Sequence, residues 1–137
     1  MKRALFLAIL ATALVVVPAA LTTTPPKTSY AFGRSGGNIR PQTTTITSAG
    51  VVHVAGAPDR HVSVAKRTEL RALVRSVKFF SLPTYTNCPG AHPDVAARFV
   101  KVTLGTQVRT VTVHGSCVPR FQKLATALNR AAGLTIS

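Results

Sequence analysis

The chain has 137 residues, with 17 lysines and arginines against 3 acids and a formal net charge of +14. That length supports one domain, and with Asp59, Glu69 and Asp94 as the only acids most of the cations have no ionic partner within the chain. The same shortage leaves no paired carboxylates for glycosidase-type chemistry, and the absence of tryptophan, with most phenylalanines at core-facing positions, leaves no aromatic platform for reading bases.

Lys2 and Arg3 precede an unbroken apolar run from Ala4 to Val17, closed by Pro18 among small residues. This is the pattern of a secretory signal. Cleavage is expected near Ala19 or Ala20, or after Ala31, where Ser29 and Ala31 supply small residues at the −3 and −1 positions. Residues 1–31 are therefore read as signal and leader, 32–42 as a flexible lead-in rich in Gly, Pro and Ser, 43–133 as a single domain and 134–137 as a tail. Retained uncleaved, the stretch from Ala4 to Leu21 reaches 18 residues, the lower edge for a membrane span. Pro18 and the following threonines weaken that end. The chain is expected outside the cytoplasm, secreted or in the cell envelope, and not integral to a membrane once cleaved.

Beyond the lead-in, two similar halves follow. Thr43–Ser48 is rich in β-branched residues, Ala49-Gly50 supplies a turn and Val51–Ala55 returns as a strand. A helix over about 64–78 then places Leu70, Leu73, Val74 and Val77 on one stripe, with Ser63 as its N-cap. Phe79-Phe80-Ser81-Leu82-Pro83 ends the helix and turns aromatic bulk toward the core. In the second half, Arg98–Leu104 and Gln107–His114 form a hairpin around Gly105-Thr106. The expected register pairs Val100 with Val111, Val102 with Arg109 and Arg98 with Val113, leaving Val108 outside or on a bulge. A last helix opens at Pro119, buries Phe121, Leu124, Ala125, Leu128 and Ala132, and stops at Gly133. The fold class expected from these elements is α+β: a four-stranded antiparallel sheet covered on one face by two helices, in ββα-ββα order.

Cys88 and Cys117 are the only cysteines and flank the open ends of the second hairpin. In an exported chain the expectation is a disulfide. Closing a loop of that length is worth about 3–4 kcal/mol in the chain-entropy description. The alternative is a zinc site made by Cys88, His92, His114 and Cys117, whose spacings approach those of structural zinc ligands; export, which opposes free thiolates, counts against it. A third arrangement keeps the disulfide and leaves His92 and His114 as a weak metal-binding or pH-responsive pair. His53 and His61 carry no pattern.

Nothing in the chain reads as an enzyme. Gly33-Arg34-Ser35-Gly36-Gly37 is too short for a phosphate loop and precedes a strand rather than a helix. No nucleophile elbow or zinc-protease helix is present, and no catalytic residue or cofactor is expected, zinc apart. On the first helix, however, Arg67, Arg71, Arg75 and Lys78 fall in one band beside the apolar stripe. Like charges four residues apart repel by a few tenths of a kcal/mol per pair, so the band is either tolerated as a solvated face or compensated by something anionic.

Four segments carry a family resemblance. They are Arg34-Ser35-Gly36-Gly37, Phe79-Phe80-Ser81-Leu82-Pro83, Asp94 ahead of a strand containing Phe99, and the helix opening Pro119-Arg120-Phe121. Over roughly residues 33–132 this order resembles the emfourin-like proteins, small bacterial inhibitors of thermolysin-type metalloproteases, and uncharacterised exported bacterial proteins of the same layout. The resemblance implies the α+β fold and a protein partner, with protease inhibition the activity it points to. The chain departs from the pattern at Asn38, where an aromatic is usual, and in its charge, since the emfourin-like proteins tend to be acidic. No inhibitory residue is carried over. The expected function is an exported binding module that engages a protein partner; the alternative is electrostatic binding of an anionic polymer or surface, such as nucleic acid without sequence recognition, a cell-wall polymer or anionic lipid.

Overall fold

In the computed structural model, which describes residues 23–135, the sheet has seven strands in the order β4-β3-β2-β1-β6-β7-β5. In chain order these are β1 Thr28–Ser35, β2 Gln42–Ile46, β3 Val51–Val54, β4 Arg60–His61, helix α1 Val64–Ser76, β5 Tyr85–Asn87, β6 Ala97–Leu104, β7 Gln107–His114 and helix α2 Pro119–Ala131. All neighbouring strands are antiparallel except β5, which adds to the edge at β7 in parallel. The expected four-stranded antiparallel sheet in ββα-ββα order is therefore corrected to a mixed sheet of seven. The apolar run at 4–17 lies outside the described residues.

The largest correction concerns β1. The segment taken for leader and lead-in holds the middle strand, with β2 on one side and β6 on the other. Tyr30 pairs with Ile46 and Val102, and Phe32 with Thr44 and Val100, so both aromatic rings enter the core face. The alternation explains it: Tyr30 and Phe32 are buried, while Ser29, Ala31 and Gly33 between them lie on the other face. Gly33 has a steric role there. A Cβ at that position would sit 1.8 Å from the Gln42 carbonyl oxygen, so the close approach of β1 to β2 excludes any side chain.

The hairpin of β6 and β7 has the expected register, Val100 with Val111, Val102 with Arg109 and Arg98 with Val113. No bulge intervenes, and Val108 is exposed. Val100, Val102, Val111 and Val113 join Ile46, Val52, Tyr30 and Phe32 on one face. Leu70 and Val74 of α1 with Val77 at its C-cap, and Phe121, Leu124, Ala125 and Leu128 of α2 with Ala132 at its C-cap, complete the same cluster. Burial of this continuous apolar surface is the main favourable term for the fold. Phe79, in a 3-10 turn after α1, is fully buried.

The helix ends are closed by local chemistry. Ser63 Oγ accepts from the Lys66 amide at 3.2 Å. At the end of α2, the Gly133 and Leu134 amides donate to the Arg130 and Asn129 carbonyls, the double closure that a left-handed residue permits. α1 ends at Ser76, two residues before the expected limit, and Lys78 takes the left-handed position at φ 50°.

Candidate anion site beside the first helix

Both sulfurs are joined: Cys88 and Cys117 form a disulfide with Cα atoms 5.5 Å apart. The Cys88 amide also donates to the His114 carbonyl at 2.8 Å, extending the β5–β7 pairing to the clasp. The thiolates of the zinc alternative are thus committed to each other. His114 Nε2 lies 2.9 Å from the His92 carbonyl oxygen, and Nδ1 lies 3.0 Å from Asn87 Oδ1, so both its ring nitrogens are engaged away from the His92 ring. No group of three or more His, Cys, Asp or Glu residues is placed to hold a metal among the described residues.

The three acids are placed away from the arginine band. Asp59 lies 2.6 Å from His53 Nδ1, an exposed pair on β3 and the loop after it. Glu69 pairs with Lys66 on another side of α1. The Asp94 carbonyl accepts from the Asn38 amide at 3.2 Å, tying two loops at the far end of β1. Those loops leave Ile39 and Val95 exposed, at 40% and 56%. Near that end, Arg34 and Arg98 are register partners across β1 and β6. Burial, and then the neighbouring Arg34, hold the Arg98 guanidinium below its ordinary pKa.

The band on α1 faces a groove. Residues 23–28 run beside the helix before entering β1. Pro25, Pro26, Lys27, Thr28, Tyr30, Ser48, Arg67 and Arg71 enclose a recess of about 140 Å³. A wider hollow of about 370 Å³ adjoins it between Thr23–Pro26 and the helix positions Thr68, Arg71, Ala72 and Arg75. Arg71 lines both, so Arg67, Arg71 and Arg75 supply one turn each to a single wall. Lys78, beyond the helix end, lines neither. The expected band of four thus becomes a track of three.

The recess has an unusual polar balance. Arg67 is held across the β2–β3 turn, its Nη1 donating to the Ser48 carbonyl at 2.8 Å. Gly50 leaves room for it: a Cβ there would come within 3.0 Å of the Arg67 Nε. Yet Arg67 Nε, Arg71 Nε and the Tyr30 hydroxyl are all buried without a hydrogen-bond partner. Tyr30 is only 4% exposed, and burial pushes its phenol up to about 12, with Arg71 pulling the other way. At neutral pH the hydroxyl therefore keeps its proton and is a donor. Three cations, Lys27, Arg67 and Arg71, share one recess with a phenol, three buried polar atoms among these side chains have no partner, and no acid lines it.

The band of arginines was legible from spacing alone. Tyr30 was not, because its strand lay in the segment assigned to the leader. No protein-family model matches the chain, and no curated protein matches it. No helix among the described residues is long and apolar enough to cross a membrane.

Proposed function

We propose that this chain is an exported, disulfide-clasped binding module that holds an anionic polymer along the groove between residues 23–28 and α1. The observation that carries the reading is the wall of Arg67, Arg71 and Arg75, one helical turn apart and facing two connected hollows with no acid in their linings. Guanidinium groups suit oxyanions because their planar fork can donate two parallel bonds. A linear polyanion can meet all three in succession. Export fits the disulfide and the apolar run at 4–17. Cleavage near residues 19 and 20 keeps β1 whole, whereas a cut after Ala31 would remove half of the central strand.

The test is retention on immobilised heparin and on immobilised duplex DNA over a range of salt concentrations. Binding is expected on both, falling steeply with salt because it releases counterions. Replacing Arg67, Arg71 and Arg75 by glutamine is expected to flatten that dependence. A second reading has one observation behind it: Ile39 and Val95 are exposed apolar residues on the two loops joined at Asn38 and Asp94. A salt-resistant complex with a single protein, lost when these two become serine, would favour that reading and the protein partner implied by the family resemblance.

A further inference from the structure

The recess around Tyr30 differs from the rest of the groove. The outer hollow is open to solvent and needs no occupant. The inner one is lined by Tyr30, Arg67 and Arg71, whose hydroxyl and Nε atoms are buried and have no hydrogen-bond partner within the chain. Buried polar groups are almost always satisfied by protein, ordered water or ligand, so three such atoms on the side chains of one recess mark a place that suits a guest rich in acceptors. All three belong to side chains that line the same space of about 140 Å³. That is well above the roughly 10–15 Å³ a single water requires. The lining also brings Lys27 and the hydroxyl-bearing Thr28 and Ser48. It therefore offers donors and positive charge, although the Thr28 hydroxyl already donates to the Pro26 carbonyl at 3.2 Å and Arg67 Nη1 to the Ser48 carbonyl.

We infer that this recess is a binding site for one tetrahedral oxyanion, a phosphate or sulfate group, held by Arg67 and Arg71 with the Tyr30 hydroxyl as a neutral donor. A tetrahedral anion presents several acceptors at once, which matches donors converging from a helix, a strand and a turn. Its charge offsets the two guanidiniums, and it enters where the 23–28 segment meets α1. The inference rests on the polymer-binding reading only in sharing the groove. A free anion and the phosphate of a polymer offer the same chemistry, and titration with each separates them.

The chain has two tyrosines and no tryptophan. Tyr85 is exposed, so Tyr85→Phe leaves Tyr30 as the sole intrinsic fluorophore. In the mature protein carrying that change, inorganic phosphate, inorganic sulfate, glycerol phosphate and a short phosphodiester oligomer are titrated at low salt. Tyrosine emission and calorimetry are read in parallel. Saturable one-to-one binding with a change in Tyr30 emission is expected, and Arg71→Gln should weaken it by about tenfold or more, the usual cost of losing a charge-assisted bond. Tyr30→Phe, followed by calorimetry alone, should weaken it less and leave the fold intact. Binding of the inorganic ions and of glycerol phosphate marks a site for a free or terminal group. Tight binding of the oligomer together with the ions marks one link of a chain. If the ions give no saturable signal while retention on heparin persists, the oxyanion site is refuted and the groove reading stands. If both are absent from a folded protein, both fail. Binding that survives Arg71→Gln unchanged also refutes the site.

Discussion

Two regions of this small domain are built on opposite principles. At the β6–β7 end the chain closes on itself: a two-residue turn sets the register, valines alternate inward, and a disulfide joins the loops at the open end of the hairpin. Even the polar group placed on the core face there is satisfied, since the Arg109 guanidinium donates to the Leu82 carbonyl through both Nε and Nη2. Beside α1 the reverse holds. Arg67 Nε, Arg71 Nε and the Tyr30 hydroxyl are buried without acceptors, although Arg67 Nη1 donates to the Ser48 carbonyl. The contrast separates a region whose polar groups are satisfied from one where buried polar atoms are left open, the region of the proposed anion site.

The largest expected effect is on the closed region. Cys88→Ser together with Cys117→Ser should cost about 3–4 kcal/mol of stability by loop entropy. Denaturant titration reads it. Heparin retention of the fraction that remains folded should be unchanged, because the groove lies elsewhere; loss of retention in a folded double variant would break the separation of the two regions.

A smaller effect belongs to Tyr30. Its folded pKa is raised to about 12 from an ordinary 10. The folded state therefore holds the phenolic proton more tightly than the unfolded state does. Stability from this group is fully present below pH 10 and is lost as pH rises toward 12, by about 2–3 kcal/mol in all. Arg71 favours the phenolate, and that effect is already contained in the shift; Arg67 and Lys27 also line the recess. Urea midpoints between pH 9 and 12, compared with Tyr30→Phe, isolate it; parallel curves for the two proteins would contradict the burial of an unpaired hydroxyl.

The smallest effect sharpens the contrast most. Arg71→Met keeps side-chain bulk but removes a partly buried cation and its repulsion with Arg67 and Arg75. Stability should rise by about 0.5–1 kcal/mol, from the relief of two like-charge pairs four residues apart. With excess phosphate the order should reverse, since the parent chain gains from ligand binding and the variant does not. Thermal melts with and without phosphate measure both.

How far the fold could be read from residues follows the same division. The second hairpin was legible because Gly105-Thr106 fixes a two-residue turn, and a two-residue turn fixes every cross-strand pair. Pro119 and Gly133 bounded α2 for equally local reasons. β1 was missed although Tyr30 and Phe32 alternate as a strand should. The small residues between them, Ser29, Ala31 and Gly33, serve a bare sheet face and a close strand approach, yet the same residues suit a signal peptidase. β4 and β5, of two and three residues, carry no periodicity and exist because the neighbouring edges offer hydrogen-bonding partners. The recess needed both halves of the chain: spacing on α1 revealed its arginines, but the phenol beside them comes from the strand that was read as leader.

The most direct measurement compares two triple variants of equal net charge. One carries Arg67→Gln, Arg71→Gln and Arg75→Gln in the groove. The other carries Arg40→Gln, Lys101→Gln and Lys123→Gln at exposed positions elsewhere. If the groove is the binding surface, the first loses most of its retention on heparin and the second stays close to the parent chain. Equal losses from both would show that overall charge alone holds the polymer, and would contradict a binding surface localised to the groove.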